Sequence, residues 1–241
     1  MIRSIIACLF LCPCLFLPSA PALASSTSAP VIPEPMVFDM IRPLGADRGE
    51  LEANVLALAP LSGEPHVVEW APEVEYAFAK GHAIEVELPF ENGNLAEFKL
   101  GLQGTFGTLD NGRAIHGWQY LGVYDRHEKR VFNTFLYMIG QRFNSRWSAL
   151  AMVGVGEISP GFTSDKDALL INHSTFYDVD ERSVAGLEVN VRSGGRRSLR
   201  VTPQWHQKLG QHTNLQFGLG VHKARFDVAR PEAAARLIRE F

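Results

Sequence analysis

Residues 68–90 read VEWAPEVEYAFAKGHAIEVELPF, and every second residue is apolar in two runs of this stretch. A period of two indicates a β-strand, because successive side chains of a strand point to opposite faces. Lys80-Gly81-His82 separates the two runs, so the stretch predicts an antiparallel hairpin. An Asn-Gly turn at 92–93 and another alternating run at 98–106 predict a third strand beside it.

The alternation continues, less regularly, along the rest of the chain. The total is about twelve strands of about ten residues, an even number of strands that are each long enough to span a bilayer. Beyond the first three, we expect strands at roughly 50–59, 114–124, 130–141, 146–156, 168–178, 183–192, 199–206, 215–221 and 233–241.

The composition excludes two classes of protein. The chain has 241 residues, of which 46% are hydrophobic, too many for a disordered protein. It has no apolar run of about 20 residues, the length that a transmembrane helix needs. The formal net charge of −3 gives no basic field to attract nucleic acid, so we expect no nucleic-acid partner.

The amino terminus has the layout of a secretory signal. Arg3 precedes an apolar run at 5–17, and Ala22-Leu23-Ala24 resembles a cleavage site, so we expect residues 1–24 to be removed on export. All three cysteines lie within this segment, so the exported chain would carry no disulfide. Residues 25–40 are rich in Ser and Pro at their start and predict an extended leader. Residues 41–241 would form one β-domain.

Two architectures remain open on this pattern. In a soluble sandwich the apolar faces form a core, whereas in an outer-membrane barrel they face lipid and the polar faces line the interior. Aromatic residues near strand ends favour the barrel, because such barrels carry aromatic girdles at both membrane interfaces. The expected girdle residues are Trp70, Phe78, Phe90, Phe106, Trp118, Phe143, Trp147, Phe176, Tyr177 and Trp205.

The stretch from Trp70 to Phe90 resembles a hairpin of outer-membrane barrels in the phenol-degradation MetA-pathway group and related transporter-like barrels. There a P-E-x-E-Y-G strand, a tight turn and an L-x-L-E-L-P strand recur, and here Ala77 replaces the glycine. The resemblance implies an all-β fold: a closed antiparallel transmembrane β-barrel of about 12 strands in outer-membrane lipid. It also implies passive passage or binding of small solutes. A non-conducting barrel with a filled lumen and a soluble periplasmic β-protein that binds an apolar ligand are the alternatives.

The carboxyl end is similar to the same barrels. A terminal Phe after a strand is the signal that barrel-assembly machinery recognises in such proteins, so the resemblance gives this role to Phe241. Arg239 departs from the pattern, since an apolar residue is usual there. A helix from Pro231 to Phe241 is the alternative, because Pro-Glu-Ala-Ala-Ala-Arg has high helix propensity, but we expect a strand over the last eight residues.

Charged residues of the predicted strands suggest how a lumen would act. Four glutamates would project from one hairpin to the same face and form an acidic wall, and arginines of later strands would form a basic wall opposite. Such a lumen would orient small polar or charged solutes; alternatively, the same charges would form a structural ion network that braces a filled barrel. The expected lumen-lining residues are Glu73, Glu75, Glu85, Glu87, Arg192 and Arg200.

The sequence carries no catalytic or metal-binding motif. Asn172-His173-Ser174 contains residue types of a barrel hydrolase, but neighbours on a strand point to opposite faces, so His173 and Ser174 would not pair. The eight histidines lack the spacing of metal ligands. We therefore expect no enzymatic activity, no cofactor and no metal.

Overall fold

The computed structural model describes residues 29–64, 66–159 and 168–241, and these form an antiparallel sheet that closes on itself. Within these ranges one 3-10 turn, Asp110–Gly112, interrupts the β-structure. The strands are β1 (Leu51–Pro60), β2 (Glu69–Ala79), β3 (His82–Glu87), β4 (Phe90–Glu91), β5 (Asn94–Leu95), β6 (Glu97–Leu109), β7 (Ala114–Asp125), β8 (Arg130–Arg142), β9 (Trp147–Ile158), β10 (Ala168–Asp178), β11 (Ser183–Arg192), β12 (Ser198–Lys208), β13 (Thr213–Ala224) and β14 (Arg230–Glu240).

Strand β1 closes the barrel, because it pairs with both β2 and β14. Val55, for example, lies opposite Pro72 on one side and Leu237 on the other. The short strands β4 and β5 form a small hairpin in the β3–β6 connection, so twelve long strands make the wall. The predicted closed antiparallel barrel of about 12 strands is confirmed.

The carboxyl-terminal segment is a strand and not a helix. Strand β14 pairs with β13 as well as β1, and the pair Ala235 and Phe217 illustrates its register. Its Ala-rich sequence has high helix propensity, but two flanking strands offer hydrogen-bond partners to its backbone. Tertiary pairing therefore overrides the local preference.

The outer face of the wall is apolar. Val74, Val86 and Phe106 are more than half exposed on it, and large hydrophobic side chains of this kind recur around the barrel. This is the pattern of a barrel whose outer face meets lipid.

The prediction that Phe176 belongs to an aromatic girdle is wrong. Phe176 is fully buried on the inner face, because even-numbered residues of β10 point inward. In the part of the chain that the structure describes, no helix is long and apolar enough to cross a membrane.

The connections differ between the two ends of the barrel. At the end where β1 begins and β14 finishes, called the terminal end here, the turns are short, and the β2–β3 turn consists of Lys80 and Gly81. Gly81 has a φ of +71°, which favours glycine in so tight a turn. At the opposite, distal end the connections include residues 61–68 and residues 88–96, the second of which carries the β4–β5 hairpin.

Residues 29–50 are called the luminal segment, and residues 32–46 of it are buried or half-buried inside the barrel, whereas the two ends of the segment are exposed. The segment contains no helix or strand, yet Met36, Met40 and Ile41 are buried almost completely. The extended leader expected at 25–40 is therefore part of the folded interior over the residues that are described, and the first strand starts only at Leu51. The expected signal segment, 1–24, lies outside the described residues.

Gly154 provides a test of the wall. A Cβ atom there would lie 1.9 Å from the backbone oxygen of Phe135, beside the irregularity in the β8–β9 register. We expect Gly154→Ala to destabilise the barrel by about 1–3 kcal/mol, because the neighbouring atom is backbone and must shift. Urea unfolding in detergent micelles measures the change.

Gly93 is the matched control, since a Cβ atom there meets nothing within 4 Å and its φ is not positive. Gly93→Ala should leave the unfolding midpoint unchanged. Equal midpoints for the two variants would contradict the close approach at Gly154.

Candidate functional site

The inner wall has three sectors of different chemistry. Strands β14, β1, β2, β3 and β6 carry most of the buried charges, β7 to β10 carry most of the buried apolar side chains, and β12 and β13 carry uncharged polar ones. The luminal segment contacts all three sectors. The candidate site is therefore the lumen, formed jointly by wall and segment.

The four predicted glutamates lie on the inner face of the β2–β3 hairpin. Glu73 pairs with Glu87 in the register and Glu75 with Glu85, so four carboxylates share one small area. All four are buried, and Glu75 and Glu85 are at most 1% exposed. Carboxylates this close repel each other unless cations separate them.

Three cations whose side chains are at most 10% exposed meet these carboxylates. Arg236 of β14 contacts Glu73 at 2.7 Å and Glu75 at 3.2 Å. Lys99 of β6 contacts Glu87 and lies 3.5 Å from Glu85. The third cation, Arg42, belongs to the luminal segment and lies 3.9 Å from Glu75.

Together these groups form the charge cluster, in which acids outnumber bases. Eight carboxylates contact the three cations: Glu34, Asp39, Glu50, Glu52, Glu73, Glu75, Glu85 and Glu87. Burial, and then the neighbouring Glu52 carboxylate, raise the pKa of Glu34 to about 8. The shift lessens the negative charge of the charge cluster, in which the other seven carboxylates still outnumber the three cations.

Part of the charge cluster has the oxygen donors of a cation site. Carboxylate oxygens of Asp39, Glu73, Glu85 and Glu87 lie within 4.8 Å of one another. Hard divalent cations prefer such ligands. Here, however, the Lys99 ammonium contacts three of the four carboxylates, so a protein cation already stands among them.

Hydrogen bonds fix the luminal segment to the wall at several points. The backbone N–H groups of Met36, Val37 and Phe38 donate to the buried Glu188 carboxylate over 2.7–3.1 Å. Gln119 donates to the Asp39 carbonyl at 3.0 Å, and further amide contacts follow along the segment. These bonds satisfy backbone groups that have no strand partner.

The apolar sector also holds the segment. Ile32, Met40 and Leu44 pack in one buried cluster with side chains of the facing wall. These wall residues are Ile115, Met138, Leu150, Met152 and Phe176. Apolar residues at 32, 40 and 44 thus distinguish the segment from a solvated leader.

Two of the cavities among the described residues lie beside the luminal segment, both at the terminal end. The larger, about 1120 Å³, lies along residues 42–47 and reaches Thr105, Ile115 and Phe241. The smaller, about 390 Å³, lies between Ile32 to Glu34 of the segment and His206 and Gln216 of the wall.

The predicted arginines are not opposite partners of the acidic wall. Arg192 contacts Glu157 of β9, and Arg200 contacts Glu232 of β14 at 2.8 Å, both near the distal end. The cations that meet the β2–β3 glutamates are Arg42, Lys99 and Arg236, none of which was among the predicted site residues. The strand prediction could have identified Arg236 as a site residue, since a charged residue on the inner face of a barrel strand needs a partner. Arg42 could not be identified in this way, because it lies in a segment without periodicity.

The last residue lies at the barrel seam. The backbone N–H of Phe241 donates to the Leu51 carbonyl at 2.9 Å, and the Phe241 side chain is 70% exposed. The Arg239 guanidinium lies 5.8 Å from the centre of its ring and donates to Thr213 Oγ1 at 2.8 Å. Arg239 thus has partners at the end of the strand.

No family model and no curated protein matches the chain, but solved structures do. The NanC porin matches with a TM-score of 0.64 and 7% identity, over 78% of this chain and 100% of that one. The KdgM porin matches with a TM-score of 0.61 and 7% identity, over 79% and 99%. An outer-membrane channel from Pseudomonas putida F1 matches with a TM-score of 0.58 and 12% identity, over 82% and 97%. At these identities the likeness concerns the fold: this chain has the barrel fold of outer-membrane porins.

The role of Arg236 is testable by replacing it with an apolar residue. Arg236→Met would leave Glu73 and Glu75 buried without their nearest cation, and removing one partner of a buried ion pair costs about 3–5 kcal/mol. Urea unfolding should show a loss of this size. Adding Glu75→Gln should recover part of it, because one of the uncompensated charges is then gone.

Arg239→Met on the same strand is the control. Arg239 is exposed, so its replacement should cost less than about 1 kcal/mol. A small effect of Arg236→Met, similar to that of Arg239→Met, would contradict the interpretation of the charge cluster as an interdependent network.

Proposed function

We propose that the protein is a passive outer-membrane channel for small solutes, narrowed by the luminal segment. The observation that carries the proposal is the structure of the lumen. Two sectors of its wall are polar, and the luminal segment inside it leaves cavities of about 390 and 1120 Å³. The likeness in fold to porins and to an outer-membrane channel supports it. Kinship with the MetA-pathway group is part of the same proposal.

Selectivity in this proposal comes from size and charge. Carboxylates exceed cations in the charge cluster, and a ring or wall of acidic groups favours cations over anions. The proposed lumen-lining residues are Glu73, Glu75, Glu85 and Glu87, with Arg192 and Arg200 toward the distal end. The last two are paired with Glu157 and Glu232, so they add little net charge there.

A second function is favoured by one specific observation. The luminal segment fills much of the lumen and is held by buried ion pairs and hydrogen bonds. A barrel so filled would serve as a structural element of the membrane without conducting. Conductance measurements separate the two functions.

Export and assembly complete the proposal. The segment 1–24 would direct export and be removed, and Phe241 would be the signal for barrel-assembly machinery. The exposed apolar outer face would then contact outer-membrane lipid.

Conductance in planar bilayers tests the proposal directly. We expect discrete channel openings from the purified barrel and larger ones from a variant that lacks residues 29–46, because the deletion removes buried chain from the lumen. Heat-modifiable gel mobility verifies that each barrel is folded. If both folded proteins fail to conduct, the structural function is correct and the channel proposal is wrong.

Ion selectivity tests the acidic wall. In a KCl gradient the reversal potential of the wild type should indicate preference for K⁺, and Glu75→Gln with Glu87→Gln should shift it toward zero, because two carboxyl groups leave the lumen. Glu64→Gln changes an exposed loop carboxylate and is the control. An unchanged reversal potential in the double variant would refute the charge mechanism.

A further inference from the structure

Three basic residues lie side by side at the distal end of β12 and β13. Arg197 immediately precedes β12, Lys223 lies next to the last residue of β13, and Arg225 follows that strand. Lys223 lies opposite Leu199 in the register, two residues along the chain from Arg197. The Arg225 guanidinium donates to the Gly195 carbonyl at 3.2 Å, so the connections at the ends of the two strands are in contact. Arg197, Lys223 and Arg225 are called the basic rim.

The charge of the basic rim is not balanced within the described part of the chain. Its three side chains are exposed, and none of them forms an ion pair with a described carboxylate. The neighbouring acids have other partners, since Asp227 contacts Arg230 at 3.1 Å and Glu232 contacts Arg200 at 2.8 Å. Residues 160–167, outside the described part, contain two Asp and one Lys, too little negative charge to neutralise three cations. Like charges on neighbouring strands repel, so an external anion would stabilise this arrangement.

The basic rim continues the outward-facing rows of its strands. Odd-numbered residues of β13 point outward, and exposed Val221 directly precedes Lys223 and Arg225 in this row. On β12, exposed Leu199 points outward and Arg197 comes next in its row. The three cations therefore lie where the apolar outer face ends, at the level of lipid headgroups and not in the lumen.

An exposed aromatic side chain lies beside the basic rim. Phe226 is 88% exposed and has a φ of +64°, a conformation that bulky residues rarely adopt. Its ring centre is 4.5 Å from the Arg225 guanidinium, and Val228 of the same connection is exposed too. Apolar side chains next to basic ones are typical of protein surfaces that enter the boundary between lipid headgroups and acyl chains.

The lengths of the connections indicate which membrane leaflet the basic rim meets. Connections of two to four residues, such as 80–81 and 179–182, join strands at the terminal end, whereas the distal ones include 61–68 and 225–229. Outer-membrane barrels have short periplasmic turns and longer extracellular loops. The distal end is therefore the extracellular end of the proposed barrel, and the basic rim meets the outer leaflet, whose main lipid carries phosphate groups on a sugar headgroup.

We propose that the basic rim binds a phosphate group of an outer-leaflet glycolipid, with Phe226 and Val228 against the same lipid. The inference goes beyond the channel proposal, because it concerns the outer face of the barrel and not the lumen. Guanidinium and ammonium groups form strong charge-assisted hydrogen bonds with phosphate oxygens. Each basic residue at an anionic membrane surface strengthens binding about fivefold. A soluble anion would meet the cations but not the two apolar side chains.

Native mass spectrometry of the full exported barrel, released from detergent micelles, tests this with two lipids that share their acyl chains. These are diphosphorylated lipid A and the same lipid after enzymatic removal of both phosphates. We expect at least tenfold tighter binding of the phosphorylated lipid. The triple variant Arg197→Gln, Lys223→Gln and Arg225→Gln should weaken that binding about tenfold or more, because three phosphate-binding cations are lost.

A second triple variant is the matched control. Lys80→Gln, Arg113→Gln and Arg239→Gln remove three exposed cations from the terminal end, and they should leave lipid binding unchanged. Heat-modifiable mobility verifies that each barrel is folded. Lys223→Gln alone replaces the first triple variant if that barrel does not fold, and it should weaken binding of the phosphorylated lipid about fivefold.

Three outcomes would overturn the inference. Equal weakening by the two triple variants would mean that overall charge, and not the basic rim, attracts the lipid. Equal binding of the two lipids would mean that phosphate is not recognised. Displacement of the lipid by millimolar inorganic phosphate would mean that the rim is a site for a soluble anion. Conductance bears on none of these outcomes, so the channel function and this inference can fail separately.

Discussion

The pairing of β1 with β14 is the constraint on which the rest of the structure depends. An open sheet of twelve long strands would expose two rows of unpaired backbone groups, which lipid cannot satisfy. Closing the ring pairs both edges and creates an inside that is separate from the apolar outside. Every polar side chain on the inner face must then find its partners within that enclosed space.

The luminal segment supplies many of those partners. The β2–β3 hairpin brings four glutamates inward, and wall residues Lys99 and Arg236 meet only part of this charge. Arg42 of the segment adds a third cation, whereas Asp39 adds a further acid beside Lys99. On the opposite side the Glu188 carboxylate binds the segment's backbone amides. Wall and segment are therefore one electrostatic unit, and the lumen is not a wall with a loose insert.

This arrangement makes the two sides of the lumen chemically unlike. The charge cluster holds a surplus of carboxylates, while the inner faces of β12 and β13 carry buried amides and a hydroxyl. The apolar sector between them fixes Met40 and Leu44 of the segment. A solute that moves past the segment would meet an ionic surface on one side and a neutral hydrogen-bonding surface on the other.

The sequence by itself determined the wall. Alternation with a period of two is local, so the strands, their number and the inward direction of Glu73, Glu75, Glu85 and Glu87 follow from residues close in the chain. Phe176 was predicted wrongly because the aromatic nature of a side chain does not say which face of a strand it occupies. The alternation along β10 does say so, since the even-numbered residues of this strand point inward.

The contents of the lumen were decided only by the tertiary structure. The ion pair of Arg42 and Glu52 joins residues that are near in sequence. Asp39 contacts Lys99 only because the closed ring surrounds the segment. The contacts of Met36 with Glu188 and Gly218 have the same origin. The segment has no period, and its backbone bonds to side chains of distant strands instead of to a ladder. Such contacts depend on the enclosed geometry, and no local pattern of residues encodes it.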